Sequence, residues 1–299
     1  MDSNPAEHAY YAPNPIVERA PLRWPNGARL ALAIVISIEF YELQPSPGGF
    51  IPPNMPGAFG RGPYPDFRNY THREYGPRVG LFRLMDLLRD KQIKATAAID
   101  ARTVIERPFI VQHCLESGWE IAAHGRAVTD VVSSQMTENQ ERDYIAASID
   151  AVSKAAGTPP RGWHGAEYGE SHRTVQLLGE SGIDYVLDWP NDEQPYLMHA
   201  GDRSLVALPM SVDLDDVIAH WQHKLSMRRW RQAVTDAVDQ LCIDGERSGR
   251  VLVLNIHPWL MGQAFRTTYF SEVLDYVRNR SGVWLTTAGE IVSAYLARS

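Results

Sequence analysis

Carboxylates and imidazoles recur in this sequence just beyond apolar runs that read as strands: Glu39 and Glu42, His124, His164 and Glu167, Asp188 and Asp192, and His257. Gathered on one face, such groups could hold a metal or move protons during a hydrolysis. One histidine or aspartate at a strand end can as easily cap a helix or brace a loop. Repetition at five strand ends is what points to a site. Gly125 after His124 lets backbone approach a ligand closely. Pro258 after His257 holds that histidine toward extended backbone. Trp163, Trp189 and Trp259 each adjoin one of these residues and could wall an apolar pocket around a flat substrate, although core packing explains each almost as well.

These residues need a scaffold that brings them together. Residues 30–40 are dominated by Ala, Ile, Leu and Val, the pattern of a strand covered on both faces. Further strands are expected at 95–99, 119–123, 185–187, 205–209, 251–256 and 283–285, with 162–167 as another strand end and loop. Helical spacing appears at 79–90, 109–116, 137–156, 173–181, 221–243, 268–278 and 288–296. Thr137 with Gln140 reads as a capping box, and Gly157 with Pro159 and Pro160 as the stop of the same helix. The alternation predicts one α/β domain over residues 29–299, a barrel rather than an open sheet, with an extended arm at 1–28 lying over the body or a neighbouring subunit. In a barrel the loops that follow the strands converge on one end, which is where chemistry is placed. The Pro- and Gly-rich stretch 44–73 is expected to be an ordered wall of that end.

The chain has 299 residues, 44% hydrophobic and 22% charged, with a formal net charge of -7, which gives no support to nucleic-acid binding. No apolar run is long enough to span a bilayer, and residues 1–25 lack the pattern of a secretion signal, so a cytoplasmic protein is the expectation. Cys114 and Cys242, far apart and without metal-like spacing, read as free buried thiols. The expected partner is a small-molecule substrate, with no nucleic acid, no membrane and no organic cofactor.

At these same positions the chain resembles the polysaccharide deacetylase superfamily (NodB homology), and within it the branch of PuuE-type allantoinases and cyclic imide hydrolases. The likeness runs from about Arg29 to the C-terminus. It rests on Tyr75-Gly76-x-Arg78-Val79-Gly80, Ile93-x-Ala95-Thr96, Gly118-x-Glu120 before His124-Gly125, Glu141-Arg142, and the 157–163 segment. It continues through Asp188-Trp189-x-x-Asp192-x-Gln194-Pro195-Tyr196 and His257-Pro258 with Gly262 and Arg266. The resemblance implies a distorted (β/α) barrel, a long insertion after the first strand, and association into homodimers or homotetramers.

The sugar-processing members carry an Asp-Asp pair after the first strand, one a base and the next a metal ligand. Here the stretch is Phe40-Tyr41-Glu42, which puts Tyr41 at the base position and Glu42 at the ligand position, unless a shift brings in Glu39. Their second motif has two histidines four residues apart. His124 matches the first, but Val128 stands at the second, and valine cannot ligate zinc. The segment 210–216 departs from the family's substrate-side pattern, which argues against allantoin itself.

Two repairs are open. One is a divalent metal, zinc or manganese, held by Glu42, His124 and either His164 or His257. The other is metal-free hydrolysis with Glu42 or Glu39 as base, His257 as proton donor or carbonyl polariser and His124 orienting them. Tyr41, Trp163, His164, Asp188, Trp189 and Asp192 are the expected substrate-binding residues. The leading reading is a hydrolase that opens a small cyclic amide, imide or ureide. A metal-dependent N-deacetylase or deacylase is the alternative, and a ligand-binding relative without catalysis is the third reading.

Overall fold

The computed structural model describes residues 8–46, 49–50 and 65–298. The first seven residues of the expected arm and most of the expected loop wall therefore lie outside the described residues. Among the described residues nine strands run β1 (Leu30–Ile38), β2 (Thr96–Ile99), β3 (Glu120–Ala123), β4 (Gly162–Trp163), β5 (Tyr185–Val186), β6 (Tyr196–Ala200), β7 (Arg203–Ala207), β8 (Arg250–Ile256) and β9 (Val283–Thr286). Helices α1 (Phe67–Tyr75), α2 (Leu81–Asp90), α3 (Ala101–Glu106), α4 (Pro108–Glu116) and α5 (Glu138–Ala156) occupy the first half. The second half has α6 (Thr174–Glu180), α7 (Met227–Asp244), α8 (Pro258–Met261), α9 (Ala264–Asn279) and α10 (Ala288–Leu296).

The strands form one sheet in the order β6-β7-β5-β4-β3-β2-β1-β8, with β9 also paired to β1. Every pairing is parallel except the β6–β7 hairpin. β1 shares one edge between two partners: β9 pairs with Leu30–Ala33 and β2 takes over at Val35–Ile38. Between the ends of the sheet, single hydrogen bonds replace a ladder, from Ser211 N to Val253 O (3.0 Å) and from Val251 N to Glu193 O (2.8 Å). The result is a curled, incompletely paired barrel.

All nine residues of β1 are buried, as its uninterrupted apolar run requires. Its alternation divides two cores. Leu30, Leu32, Ile34 and Ile36 pack outward with helical residues such as Leu81, Leu84 and Phe270. Ala31, Ala33 and Val35 face Tyr185, Leu187, Val206 and Val253 across the barrel interior, into which Trp24 of the arm and Ile291 of α10 also pack. The described arm thus lies on its own chain, tied by His199 N to Tyr10 O and by Arg19 to Asp192.

Several elements differ from the sequence expectation. β1 stops at Ile38 because the chain turns there, with Phe40 N donating to the Asp100 carboxylate at 2.5 Å. Strand β6 was not expected; its alternating burial has exposed Leu197 and His199 on one face, so it carries a weak apolar signal. The single helix expected at 221–243 is two pieces: a π-helical turn at Ile218–Gln222, then α7. Lys224 in left-handed backbone (φ 56°) and Ser226 as N-cap separate them. The capping box at Thr137 and the left-handed Gly157 (φ 75°) bound α5 as its sequence specified.

Two glycines set how closely α2 approaches the turn after β8. A Cβ on Gly80 would lie 2.0 Å from Pro258 O, and one on Gly262 would lie 2.4 Å from both Gly80 Cα and Pro258 O. Only hydrogens at these positions let the start of α2 touch the backbone that succeeds His257.

Candidate active site

Four polar residues are each the first residue past a strand: Glu39 after β1, His124 after β3, His164 after β4 and His257 after β8. The parallel sheet places all four at one end, where they line a pocket of about 170 Å³ with Tyr41, Arg73, Glu167, Tyr168, Asp215, Asn255 and Trp259. Asp100, the first residue past β2, plays another part: it accepts from Phe40 N and Thr103 N, tying two strand ends together and capping α3.

The three histidines share a design. Each commits Nδ1 to an acceptor behind it and leaves Nε2 for the pocket. His124 Nδ1 meets His164 O at 2.6 Å, His164 Nδ1 meets Asp188 Oδ1 at 2.7 Å, and His257 Nδ1 meets Asp216 Oδ1 at 2.7 Å. A carbonyl oxygen and two carboxylates can only accept, so Nδ1 carries the proton in every case. The His124 and His164 rings stack with centroids 4.5 Å apart. His124 Nε2 is buried without a hydrogen-bond partner. Both His124 Nε2 and His257 Nε2 face Glu39 Oε1, at 3.6 and 3.9 Å, in ion-pair contact longer than a hydrogen bond. Tyr41 donates its hydroxyl to Glu39 Oε2 at 2.9 Å.

The charges follow from this packing. Burial raises the Glu39 carboxyl, but His257 and His124 together outweigh it and hold it at about 2, so Glu39 is a carboxylate. Burial lowers His257, yet Asp216, Asp215 and Glu39 bring it up to about 10, which makes it an imidazolium at neutral pH. Burial likewise lowers His124, and Glu39 lifts it above its ordinary value. His164 goes the other way, pushed down by burial and by the His124 charge. Glu167 is shifted upward by desolvation at the pocket mouth and by Glu39; it remains open to solvent, and water limits that shift.

A second tier holds these groups. Asp215 accepts from Val217 N, Ile218 N, Tyr168 OH and Asn255 Nδ2. Asn255 Oδ1 accepts from Ser37 Oγ, which links the middle of β8 to β1. Arg73 is buried, its guanidinium 3.9 Å from the Trp259 ring centroid and 4.6 Å from that of Tyr41.

Donor atoms of Asp215, Asp216 and His257 lie within 4.8 Å of one another, a spacing that could suit a metal. Their chemistry does not fit one. Asp215 already accepts four hydrogen bonds, Asp216 accepts two from His257, and the nearer imidazole nitrogen carries a proton. The set expected from the sequence does not assemble either, because Glu42 is not among the lining residues and accepts from Thr129 Oγ1 instead. Glu39, the alternative to Glu42 that the sequence left open, is the carboxylate that faces His124 and His257.

Of the other expected residues, Tyr41 and His164 line the pocket, and Asp188 stands behind His164, also accepting from Gly165 N. Trp163, Trp189 and Asp192 are not among the lining residues. Trp163 is fully buried beside Tyr144, Trp189 donates to Glu170 and packs on Tyr10, and Asp192 pairs with Arg19. Their place near strand ends put them in the right region, but their side chains turn to the core and the arm. Arg73, Tyr168, Asp215, Asp216 and Asn255 went unrecognised. Asp215-Asp216 was a visible signal, an acidic pair in the segment that departs from the family pattern. Arg73 had none, since α1 is strongly polar by sequence.

Residues 73–186 match the polysaccharide deacetylase family model. A candidate polysaccharide deacetylase of Schizosaccharomyces pombe is 23% identical over 92% of this chain and 92% of its own length. Among solved structures, a candidate polysaccharide deacetylase from Pseudomonas aeruginosa PAO1 superposes with a TM-score of 0.81 at 22% identity, covering 96% of this chain and 98% of that one. The Puue allantoinase superposes equally well, with a TM-score of 0.81 at 23% identity and the same coverage. At these identities the superpositions show a common fold.

Proposed function

We propose that this chain, which carries a polysaccharide deacetylase family domain, hydrolyses a non-peptide C–N bond by opening a small cyclic amide, imide or ureide. The observation that carries the reading is the Glu39 carboxylate facing His257, whose ring is held from behind by Asp216. Water attack on a carbonyl needs an acceptor for the water proton and a positive group at the carbonyl oxygen. In this reading Glu39 takes the first task and the His257 imidazolium the second. His124, stacked on His164, turns Nε2 toward the Glu39 carboxylate. As the C–N bond breaks, the new C–O bond stays with the carbonyl carbon and the leaving nitrogen takes up a proton, for which His257 is the nearest acid. The small pocket with Tyr41 and Trp259 on its wall suits a flat ring rather than a polymer. Cytoplasmic location and homo-oligomeric assembly belong to the same proposal; among the described residues no helix is long and apolar enough to cross a membrane.

The second reading, a metal-dependent N-deacetylase, is favoured by one observation, the buried and unpartnered Nε2 of His124, which a metal ion would satisfy. Elemental analysis of untagged protein, with turnover of succinimide, hydantoin and N-acetylglucosamine before and after chelation, separates the two. Ring opening that survives chelation supports the acid–base reading. Deacetylation lost with near-stoichiometric zinc or manganese overturns it.

A further inference from the structure

Beyond the candidate active-site pocket lies a second cavity of about 400 Å³, lined on its polar side by His72, His220, Ser226 and Arg266. The Trp221 and Trp259 rings, with centroids 5.1 Å apart, stand between the two: Trp221 lines the second cavity and Trp259 the first. Three nitrogens on this cavity, His72 Nδ1, His220 Nε2 and Arg266 Nε, are buried without a hydrogen-bond partner; His220 Nδ1 donates to Leu225 O at 2.7 Å, so Nε2 of the neutral ring is an acceptor and only His72 and Arg266 can donate to an anion. Isolated orphans occur in native proteins, but three around one cavity call for an occupant.

The sign of that occupant follows from the charges. Among the described residues Arg266 makes no ion pair, and no acidic residue lines the cavity. Burial holds the Arg266 guanidinium below its ordinary pKa although the Asp216 charge pulls it up, and the guanidinium carbon lies 4.5 Å from the Phe265 ring centroid. His72 is pushed down to about 4 by burial and by Arg73, Arg266 and Arg68, so its surroundings are positive. The eighteen-residue helix α7 begins at this cavity with Ser226 and Met227, has no acid in its first turn, and adds the positive end of its dipole. The opposite side is apolar: Trp221, Leu225, Leu260 and Phe265.

We propose that this cavity is a second binding site, for a small organic carboxylate whose oxygens lie on Arg266 and His72 and whose apolar body lies against Trp221, Leu260 and Phe265. An inorganic anion would leave the apolar side unused, and a neutral ligand would leave Arg266 without a counter-charge. The Ser226 hydroxyl on the cavity accepts from Arg229 N as a helix cap and is not paired with His72 or His220, so the site is assigned to binding. It stands independently of the activity proposed above.

Isothermal titration of the whole chain with benzoate, benzamide and sulfate tests the assignment. Benzoate is expected to bind at one site per chain, with benzamide and sulfate each about tenfold weaker or worse. Arg266→Gln should weaken benzoate about tenfold or more, while its Tm without ligand stays at or above that of the parent because no ion pair is lost. Phe265→Ala, at a position 63% exposed and safe for folding, should also weaken benzoate. Glu39→Gln should leave benzoate affinity unchanged. Absence of benzoate binding, equal binding of benzamide or sulfate, full affinity in Arg266→Gln, or loss of affinity in Glu39→Gln would each overturn the proposal.

Discussion

Asp216 gives both carboxylate oxygens to His257: Oδ1 meets the ring Nδ1 at 2.7 Å, and Oδ2 accepts from the backbone N at 3.0 Å. One contact sets the tautomer and charge of the imidazole; the other sets the position of the chain that carries it. Because Asp216 is fully buried, neither contact is shared with solvent. The pair therefore governs whether His257 can act as a cation in the pocket.

Asp216→Asn removes the largest of the influences that raise His257 toward 10. Its imidazolium should then be lost as pH rises through a value nearer the ordinary 6.5 or so. In the kcat/KM profile the alkaline limb should move down by more than one pH unit, with activity at pH 8 falling by up to about 30-fold if the ring returns to about 6.5. A limb that stays in place would show that His257 is not the group whose charge matters.

Glu39 and Glu42 should separate cleanly by mutation. Glu39→Gln keeps the shape and removes the carboxylate that faces both histidines, so kcat should fall about 10²-fold or more with little change in KM. Glu42→Gln disturbs a contact with Thr129 outside the pocket and should leave kcat within about threefold. Steady-state kinetics of the two variants on one ring substrate decide the matter; a reversed order would place the base at Glu42.

Stability should peak on the acidic side of neutrality. Glu39, held at about 2, contributes stability above its unfolded value near 4.3 and loses it as pH falls from there toward 2. His257, raised to about 10, contributes fully below about 6.5 and loses that stability as pH rises from there toward 10. The Tm is thus expected to be highest between about pH 4.5 and 6.5. His257→Asn should flatten the alkaline slope, and calorimetry of the two proteins from pH 4 to 9 provides the check.

Gly80→Ala tests the support beneath His257. With its Cβ 2.0 Å from Pro258 O, the substitution must shift either α2 or the turn after β8. Overpacking of this kind costs about 1–3 kcal/mol, measurable by urea denaturation. Since Pro258 follows His257 directly, kcat should fall along with stability. Unchanged stability would mean the two backbones can part freely.

Most strands and most helices were legible because their signals are local. The run 30–40 is apolar on both faces, Thr137 and Gly157 bracket a helix, and four of the strand ends named from sequence carry the residues that meet in the pocket. Glu39 against Glu42 was not decidable there. The two are three positions apart, and only the turn after Ile38, held by Asp100, determines which one faces inward. Trp189 and Asp192 misled for a related reason: they follow a strand, but the arm claims their side chains.

By itself the sequence determined the alternation of strands and helices, the barrel class, and the identity of His124, His164 and His257 as strand-end residues. Hydrophobic periodicity and capping act over a few residues, so they can be read along the chain. The tertiary structure decided which carboxylate the histidines face, which nitrogen of each ring is free, and that Arg73 and Asp216, from segments far apart, complete the site. Those choices depend on burial and on charges brought within a few ångströms by folding. Neither exists until the sheet has curled.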